Sequence, residues 1–167
     1  LTSWAQPDEE VQISSSFAVD QACGQENAFT PGVIASTANP TAGAFSPFAL
    51  SITRSNDAQP NISHFEATLP EGLLAKLAGV PLCPEAAAAT AACPPESRIG
   101  HTTVGAGSGP TPVFAPEPGK EPTVLFMGGP YKGAPYSVIA RVPAQAGPFD
   151  LGTVVVRNAL HVDPVTT

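Results

Sequence analysis

The sequence predicts an all-β fold, a two-sheet and mainly antiparallel β-sandwich, on three observations. Proline (20 of 167 residues) and glycine (15) are abundant, which is typical of short strands joined by turns. Charged residues make up only 13%, too few for helices with well-solvated outer faces. About seven segments have strand-like hydrophobic patterns, and they do not alternate with long helical patterns.

Three of the predicted strands lie in the N-terminal part of the chain. Residues 11–20, 46–54 and 61–70 each carry apolar side chains at every second position, which places those side chains on one face of a strand. Residues 1–10 contain a short acidic run and are expected to form a loose N-terminal segment.

Four further strands are predicted in the C-terminal part. Residues 97–104 give a weaker pattern because glycine interrupts it. Residues 123–129 and 136–142 are apolar on both faces, as central strands are. In residues 152–163 the even-numbered aliphatic side chains are predicted to point inward and Arg157 outward.

Helix is predicted only in a short insertion, residues 71–92. Residues 71–79 fit two helical turns with Gly79 as the C-terminal cap. Residues 84–92 begin with proline and glutamate and continue with alanines, which is a good helix-forming composition.

Residues 105–122 contain many prolines and glycines and are predicted to form an irregular surface loop. An interdomain linker is a poor alternative, because too little chain lies on either side for two hydrophobic cores. We therefore expect one sandwich domain over residues 1–167.

Two of the three cysteines, Cys83 and Cys93, are predicted to form a disulfide. A zinc site usually needs four ligands in closely spaced pairs, and a thioredoxin-like centre needs a C-x-x-C motif. Neither pattern is present. Two buried reduced cysteines are the alternative. A disulfide closing so short a loop contributes about 2.5–3 kcal/mol and indicates an oxidising, extracellular location.

The third cysteine, Cys23, lies in a polar turn-like stretch and has no partner left within residues 1–167. We expect it to be unpaired here and to bond to a cysteine downstream of Thr167 in a longer precursor. A thiol that is never paired is the alternative, and disulfide mapping of the longer protein by mass spectrometry distinguishes the two.

Four stretches carry a family resemblance: AGAFSPF, LPEGLLAKLAGVPLCPEA, GGPYKGAPY and AGPFDLGTVVVR. Together with the sequence between them, over residues 42–164, they resemble an uncharacterised repeat-like segment of large secreted or cell-surface proteins from high-GC Gram-positive bacteria. The resemblance implies a location and a type of module, not an activity. It also implies that the chain continues into further strands, so that residues 1–167 are part of a longer protein.

No catalytic, cofactor-binding or metal-binding residue is predicted. Ser108 lies in a glycine-rich stretch that lacks the G-x-S-x-G pattern of a nucleophile elbow. Nothing in the spacing of the acidic residues Glu66, Asp150 and Asp163 requires the facing carboxylates of a glycosidase. Single histidines such as His101, on predicted strands, are more often surface or core residues than ligands.

The charge and hydropathy of the chain exclude two classes of partner. A formal net charge of -7 and a pI near 4.7 argue against a nucleic-acid surface or an anionic membrane. No apolar run approaches the length of a membrane span, so no direct membrane insertion is expected.

One stretch indicates recognition. GGPYKGAPY places Tyr131, Lys132 and Tyr136 on a Gly/Pro-rich turn between the two most apolar predicted strands. Exposed tyrosines on a rigid loop can stack on sugar rings or peptide backbones. The alternative is that both rings pack over the edge of the sandwich and cover it.

The sequence therefore predicts a non-catalytic structural or adhesive module of a larger secreted or cell-surface bacterial protein. The alternative is a carbohydrate-binding module that accompanies a polysaccharide-active enzyme. Expected partners are neighbouring domains of the same precursor and cell-wall or extracellular polysaccharide, with no cofactor.

Overall fold

The computed structural model describes residues 2–3, 6–10, 30–54, 62–70, 72–106, 112–117, 119–120, 122–146, 148–163 and 165. Within these ranges it contains ten strands, one α-helix and one 3-10 helix. Their order along the chain is β1 (Thr2–Ser3), β2 (Gln6–Glu10), β3 (Gly32–Thr37), β4 (Phe48–Thr53), α1 (Glu85–Ala88), the 3-10 helix (Pro95–Ser97), β5 (Arg98–Thr102), β6 (Val104–Ala106), β7 (Val113–Ala115), β8 (Thr123–Gly128), β9 (Tyr136–Ala146) and β10 (Phe149–Leu160).

Every strand pairing in the described part of the chain is antiparallel. The largest sheet, here called the central sheet, has the order β10-β9-β8-β5. Three two-stranded sheets accompany it: β1-β2, β3-β4 and β6-β7. The prediction of an all-β, mainly antiparallel fold is confirmed.

Strand register defines two faces of the central sheet. Phe126 of β8 lies opposite Ile139 of β9, which in turn lies opposite Arg157 of β10. Directly opposed residues share a face, so these three side chains lie on the same side, here called face 1. Successive side chains of a strand point to opposite faces, and Thr123 lies three positions before Phe126 on β8. Thr123 therefore lies on the opposite side of the sheet, here called face 2.

The best-buried cluster lies on face 1, beneath the loop that the disulfide closes. Phe126 and Ile139 of the sheet pack with Cys83, Ala88 and Ala91 of this loop. The prediction of a Cys83–Cys93 disulfide is confirmed. Its loop contributes small alanine side chains, so α1 packs closely on the sheet and buries the two larger side chains beneath it.

Face 2 is covered in part by strand β7, which packs beside β9. The buried Thr123 hydroxyl donates a hydrogen bond of 3.5 Å to the carbonyl oxygen of Ala115, the last residue of β7. Strands β6 and β7 thus occupy parts of the segment predicted to be an irregular surface loop, residues 105–122. The N-terminal residues predicted to be loose include the paired strands β1 and β2.

Of the two predicted helices, the first does not form and the second is shorter than predicted. Residues 72–80 contain turns and no helix, and Gly72, near the start of the predicted helix, has a left-handed φ of +86° that a helix cannot include. Gly79 (φ +89°) has the conformation of a C-terminal cap, but no helix precedes it. In the second predicted helix only α1 is helical. Ala91 has a φ of +50°, which turns the chain back toward Cys93.

Two of the predicted strands are not confirmed, and one observed strand was not predicted. Residues 61–70 were predicted as a strand, but their described part, residues 62–70, is not one, and Ile62, Phe65 and Leu69 are exposed. An alternating pattern without a partner strand does not form a ladder. Residues 11–20 lie outside the described residues. Strand β3 was not predicted, because its sequence does not alternate regularly.

Strand β10 presents the opposite face to the one predicted. Val154 and Val156, expected to point inward, are exposed at 51% and 42%. Val155 packs against the core cluster instead, and Arg157 lies beside it on face 1. The prediction that Arg157 points to solvent is wrong. Its burial requires polar partners, and these form the site described next.

Candidate functional site

The predicted recognition loop is a tight turn between β8 and β9. The backbone N–H groups and carbonyl oxygens of Tyr131 and Ala134 bond to each other at 3.0 Å. The two residues between them, Lys132 and Gly133, have φ angles of +46° and +85°. Two positive φ angles in succession define a type I′ turn, whose twist matches that of the antiparallel strands it joins. The turn therefore holds Tyr131 in a fixed position.

The strand ends below the turn come unusually close together at Gly128. A Cβ atom on this residue would lie 2.5 Å from Ser137 Oγ and 2.7 Å from Ile139 Cδ1. Only glycine leaves room for these two side chains. Ser137 is fully buried, and its hydroxyl donates a hydrogen bond of 2.8 Å to the carbonyl oxygen of Gly129.

Arg157 connects the turn, the strand ends and α1. Its Nε donates to Ser137 Oγ at 3.0 Å, and its Nη2 donates to the carbonyl oxygens of Gly129 (3.3 Å) and Pro130 (3.1 Å). Its Nη1 and Nη2 donate to the two carboxylate oxygens of Glu85, at 2.7 and 2.9 Å. All three guanidinium nitrogens are therefore engaged by the protein itself.

The Arg157–Glu85 pair is asymmetric in burial. The side chain of Arg157 is 12% exposed, whereas that of Glu85 is 74% exposed. The hydrogen bonds from Arg157 lower the pKa of Glu85 below its ordinary value of 4.5, an effect larger than the opposing one of partial desolvation. The same hydrogen bonds raise the pKa of Arg157. The pair is ionised at neutral pH.

The ring of Tyr131 lies against cations. The Arg157 guanidinium carbon is 4.5 Å from the ring centroid, and the Lys132 ammonium nitrogen is 5.4 Å from it. Both distances are within the range of cation–π attraction. Tyr131 and Tyr136 are half-buried, and Lys132 is exposed. The ring of Tyr131 therefore contacts Arg157 and is still partly exposed, and the two interpretations of this loop both remain predictions.

The disulfide loop brings Glu85 to this site. The backbone N–H of Cys83 donates to the carbonyl oxygen of Met127 at 2.8 Å, which fixes the start of the loop to the end of β8. Pro84 and Glu85 follow directly, so the carboxylate reaches Arg157 within one helical turn. Arg157, Glu85, Ser137 and Tyr131 are here called the Arg157 cluster.

The Arg157 cluster links three parts of the fold: the turn, the start of β9 and α1. The hydroxyl of Ser137 is buried beneath the guanidinium and is hydrogen-bonded to Gly129 and Arg157. Among the described residues, no group of three or more His, Cys, Asp and Glu could hold a metal ion. No helix in the described ranges is long and apolar enough to span a membrane.

The other candidates from the sequence do not join the cluster. Asp150 and Asp163 each accept a hydrogen bond of 2.8 Å from a backbone N–H two residues later, at Gly152 and Val165. These contacts stabilise turns. Ser108 and Cys23 lie outside the described residues, so the prediction for Cys23 remains untested.

Sequence reasoning missed Arg157 and Glu85 as site residues. The available signal was an arginine flanked by an almost entirely aliphatic strand, in a chain with only seven Lys and Arg residues. Its partner lies 72 residues away in sequence, in the alanine-rich loop, and no local pattern links the two.

Comparison with known proteins identifies no relative: no protein-family model, no curated protein and no solved structure matches this chain.

Proposed function

We propose that this chain is a non-catalytic structural or adhesive module of a larger secreted or cell-surface bacterial protein. One observation carries the proposal: the most connected polar residue of the described chain, Arg157, directs its donors to the protein's own carbonyl oxygens, carboxylate and hydroxyl. Active sites usually leave such groups open toward a substrate. A saturated arginine supports rigidity.

The disulfide supports the extracellular part of the proposal. Disulfides persist in oxidising compartments and are rare in the bacterial cytoplasm. The Cys83–Cys93 bond closes the loop that carries Glu85, so it also holds one partner of Arg157 in place. A module that works outside the cell gains stability from such a covalent closure.

A carbohydrate-binding module is the second candidate, and the turn geometry favours it in one respect. Tyr131 and Tyr136 are half-exposed at the two sides of a rigid turn, with the exposed Lys132 between them. Aromatic rings in this arrangement can contact sugar rings.

Two measurements on the purified protein test these proposals. The first incubates it with a panel of polysaccharides and chromogenic esters and measures released reducing ends and chromophore. Turnover that disappears in Ser137→Ala would refute the non-catalytic proposal. The second measures retention on neutral polysaccharides such as cellulose and dextran. Retention that is lost in Tyr131→Ala or Tyr136→Ala would favour the carbohydrate-binding module.

A further inference from the structure

Besides Arg157, face 1 of the central sheet carries three exposed basic residues. His101 of β5 lies opposite Val124 of β8, and Val124 lies opposite Arg141 of β9. This register places His101 and Arg141 on face 1, on either side of one valine. Arg98, near the start of β5, lies opposite Phe126, two positions further along β8. Arg98, His101 and Arg141 are here called the basic face.

These three side chains have no partner in the described chain. They are exposed, and no ion pair or side-chain hydrogen bond engages them, although Glu96 lies only two residues before Arg98. Arg157, on the same face, is fully used by its own cluster. Arg98, Arg141 and Arg157, all on face 1, are three of the seven Lys and Arg residues in a chain whose net charge is -7. Local positive charge of this kind marks where an anion is attracted.

The spacing suits an extended ligand with repeated anionic groups. Neighbouring strands are about 4.8 Å apart, so the Cα atoms of His101 and Arg141 are separated by roughly 10 Å. Arg98 lies about 7 Å further along the strand direction, two rows away. Aliphatic side chains adjoin these cations: the half-buried Val124 lies between His101 and Arg141 across the sheet, and Ile99, which is 40% exposed, lies between Arg98 and His101 along β5.

We propose that the basic face binds an acidic polysaccharide, one whose sugars carry carboxylates. A uronate ring has an anionic group for Arg98 or Arg141 and an apolar C–H surface that can lie on Val124. His101 has an N–H donor in either protonation state and so can bond to a hydroxyl or a carboxylate. This inference rests on the proposed adhesive function and specifies its ligand.

An acidic polypeptide is the competing partner, and the aliphatic side chains among the cations favour the sugar. Ile99 and Val124 adjoin the three basic residues, and cations interspersed with aliphatic side chains match a polymer of rings that carry both carboxylates and C–H surfaces. A peptide of aspartates or glutamates offers charge without the apolar ring surface.

The test measures binding of the full chain to immobilised polygalacturonate at neutral pH, with dextran as the uncharged polymer and polyglutamate as the acidic peptide. We expect binding to polygalacturonate that weakens as salt rises from about 0.05 to 0.5 M, because salt screens exposed charges. Binding to dextran and polyglutamate should be at least tenfold weaker.

Variants locate the site. Arg98→Gln/Arg141→Gln should weaken polygalacturonate binding about tenfold, and His101→Ala should add to this loss. Lys76→Gln/Lys120→Gln removes two exposed positive charges elsewhere and should change binding less than twofold. Unchanged melting temperatures would show that all variants fold.

Three outcomes would overturn the inference: equal binding to dextran, equal binding to polyglutamate, or an equal loss in the lysine control. A failure of this kind leaves the non-catalytic module intact, because that proposal is refuted by turnover and not by the absence of this ligand.

Discussion

Replacing Arg157 with alanine is expected to destabilise the protein by about 3 kcal/mol. The substitution removes two methylene groups of a side chain that is 12% exposed, about 1.5 kcal/mol at roughly 0.8 kcal/mol each. Loss of the stacking on Tyr131, 4.5 Å away, adds about 0.5–1 kcal/mol.

The lost hydrogen bonds add about 1 kcal/mol in net terms. This figure is small because the acceptors find other partners: Gly129 O still accepts from Ser137, and Pro130 is exposed to water. The ion pair with Glu85 is left out of the sum, since Glu85 is largely exposed and solvent screens it. For a domain of this size the total corresponds to a decrease in melting temperature of roughly 6–12 °C.

The measurement is thermal unfolding followed by circular dichroism, with chemical denaturation as a check on two-state behaviour. Arg141→Ala is the matched control, because Arg141 is an exposed arginine on the same face of the same sheet. Its substitution should change stability by no more than about 0.5 kcal/mol. Arg157→Lys keeps the positive charge but loses the planar guanidinium group. Its melting temperature should lie between those of Arg157→Ala and Arg141→Ala.

If Arg157→Ala and Arg141→Ala melt within about 2 °C of each other, the reasoning is wrong. The hydrogen bonds and the Tyr131 contact would then contribute nothing net, and the description of the Arg157 cluster as a stabilising link would have to be abandoned.

Two further predictions concern the loop that faces Arg157. The pKa of Glu85 is lowered in the folded state, so its contribution to stability is present above 4.5 and is lost as the pH falls through the folded pKa, below 4.5. The difference in melting temperature between wild type and Glu85→Gln should therefore be constant from about pH 7 to 5 and shrink at lower pH; a difference that persists at pH 2 would contradict this. Replacing both cysteines of the pair by alanine should cost about 2.5–3 kcal/mol, seen as a lower denaturation midpoint with nearly the same far-ultraviolet spectrum. Equal stability of the oxidised and cysteine-free proteins would argue against any contribution from loop closure.

The central strands could be predicted from sequence because their patterns are local. Strands β8 and β9 are apolar on both faces, and they are the two inner strands of the central sheet. The disulfide was also predictable, since Cys83 and Cys93 are separated by only ten positions. These features depend on residues close together in the chain.

The features that sequence missed depend on distant partners. The inward position of Arg157 follows from Glu85, 72 residues away, and from the ring of Tyr131. Without knowledge of these partners, an aliphatic side chain is the better choice for an inward position, and the predicted face of β10 was reversed. The turn residues were located correctly, but their cation contacts could not be read from composition.

The order of strands in the central sheet has a consequence for how the protein folds. Strands β8, β9 and β10 follow one another in sequence and pair with their immediate neighbours. Such a meander needs only short loops to close, so it is expected to form early, before the Cys83–Cys93 loop docks on it. Pulse-labelled hydrogen exchange should then protect the amides of β9 ahead of the Cys83 amide. Simultaneous protection would mean that the loop and the meander form in one cooperative step.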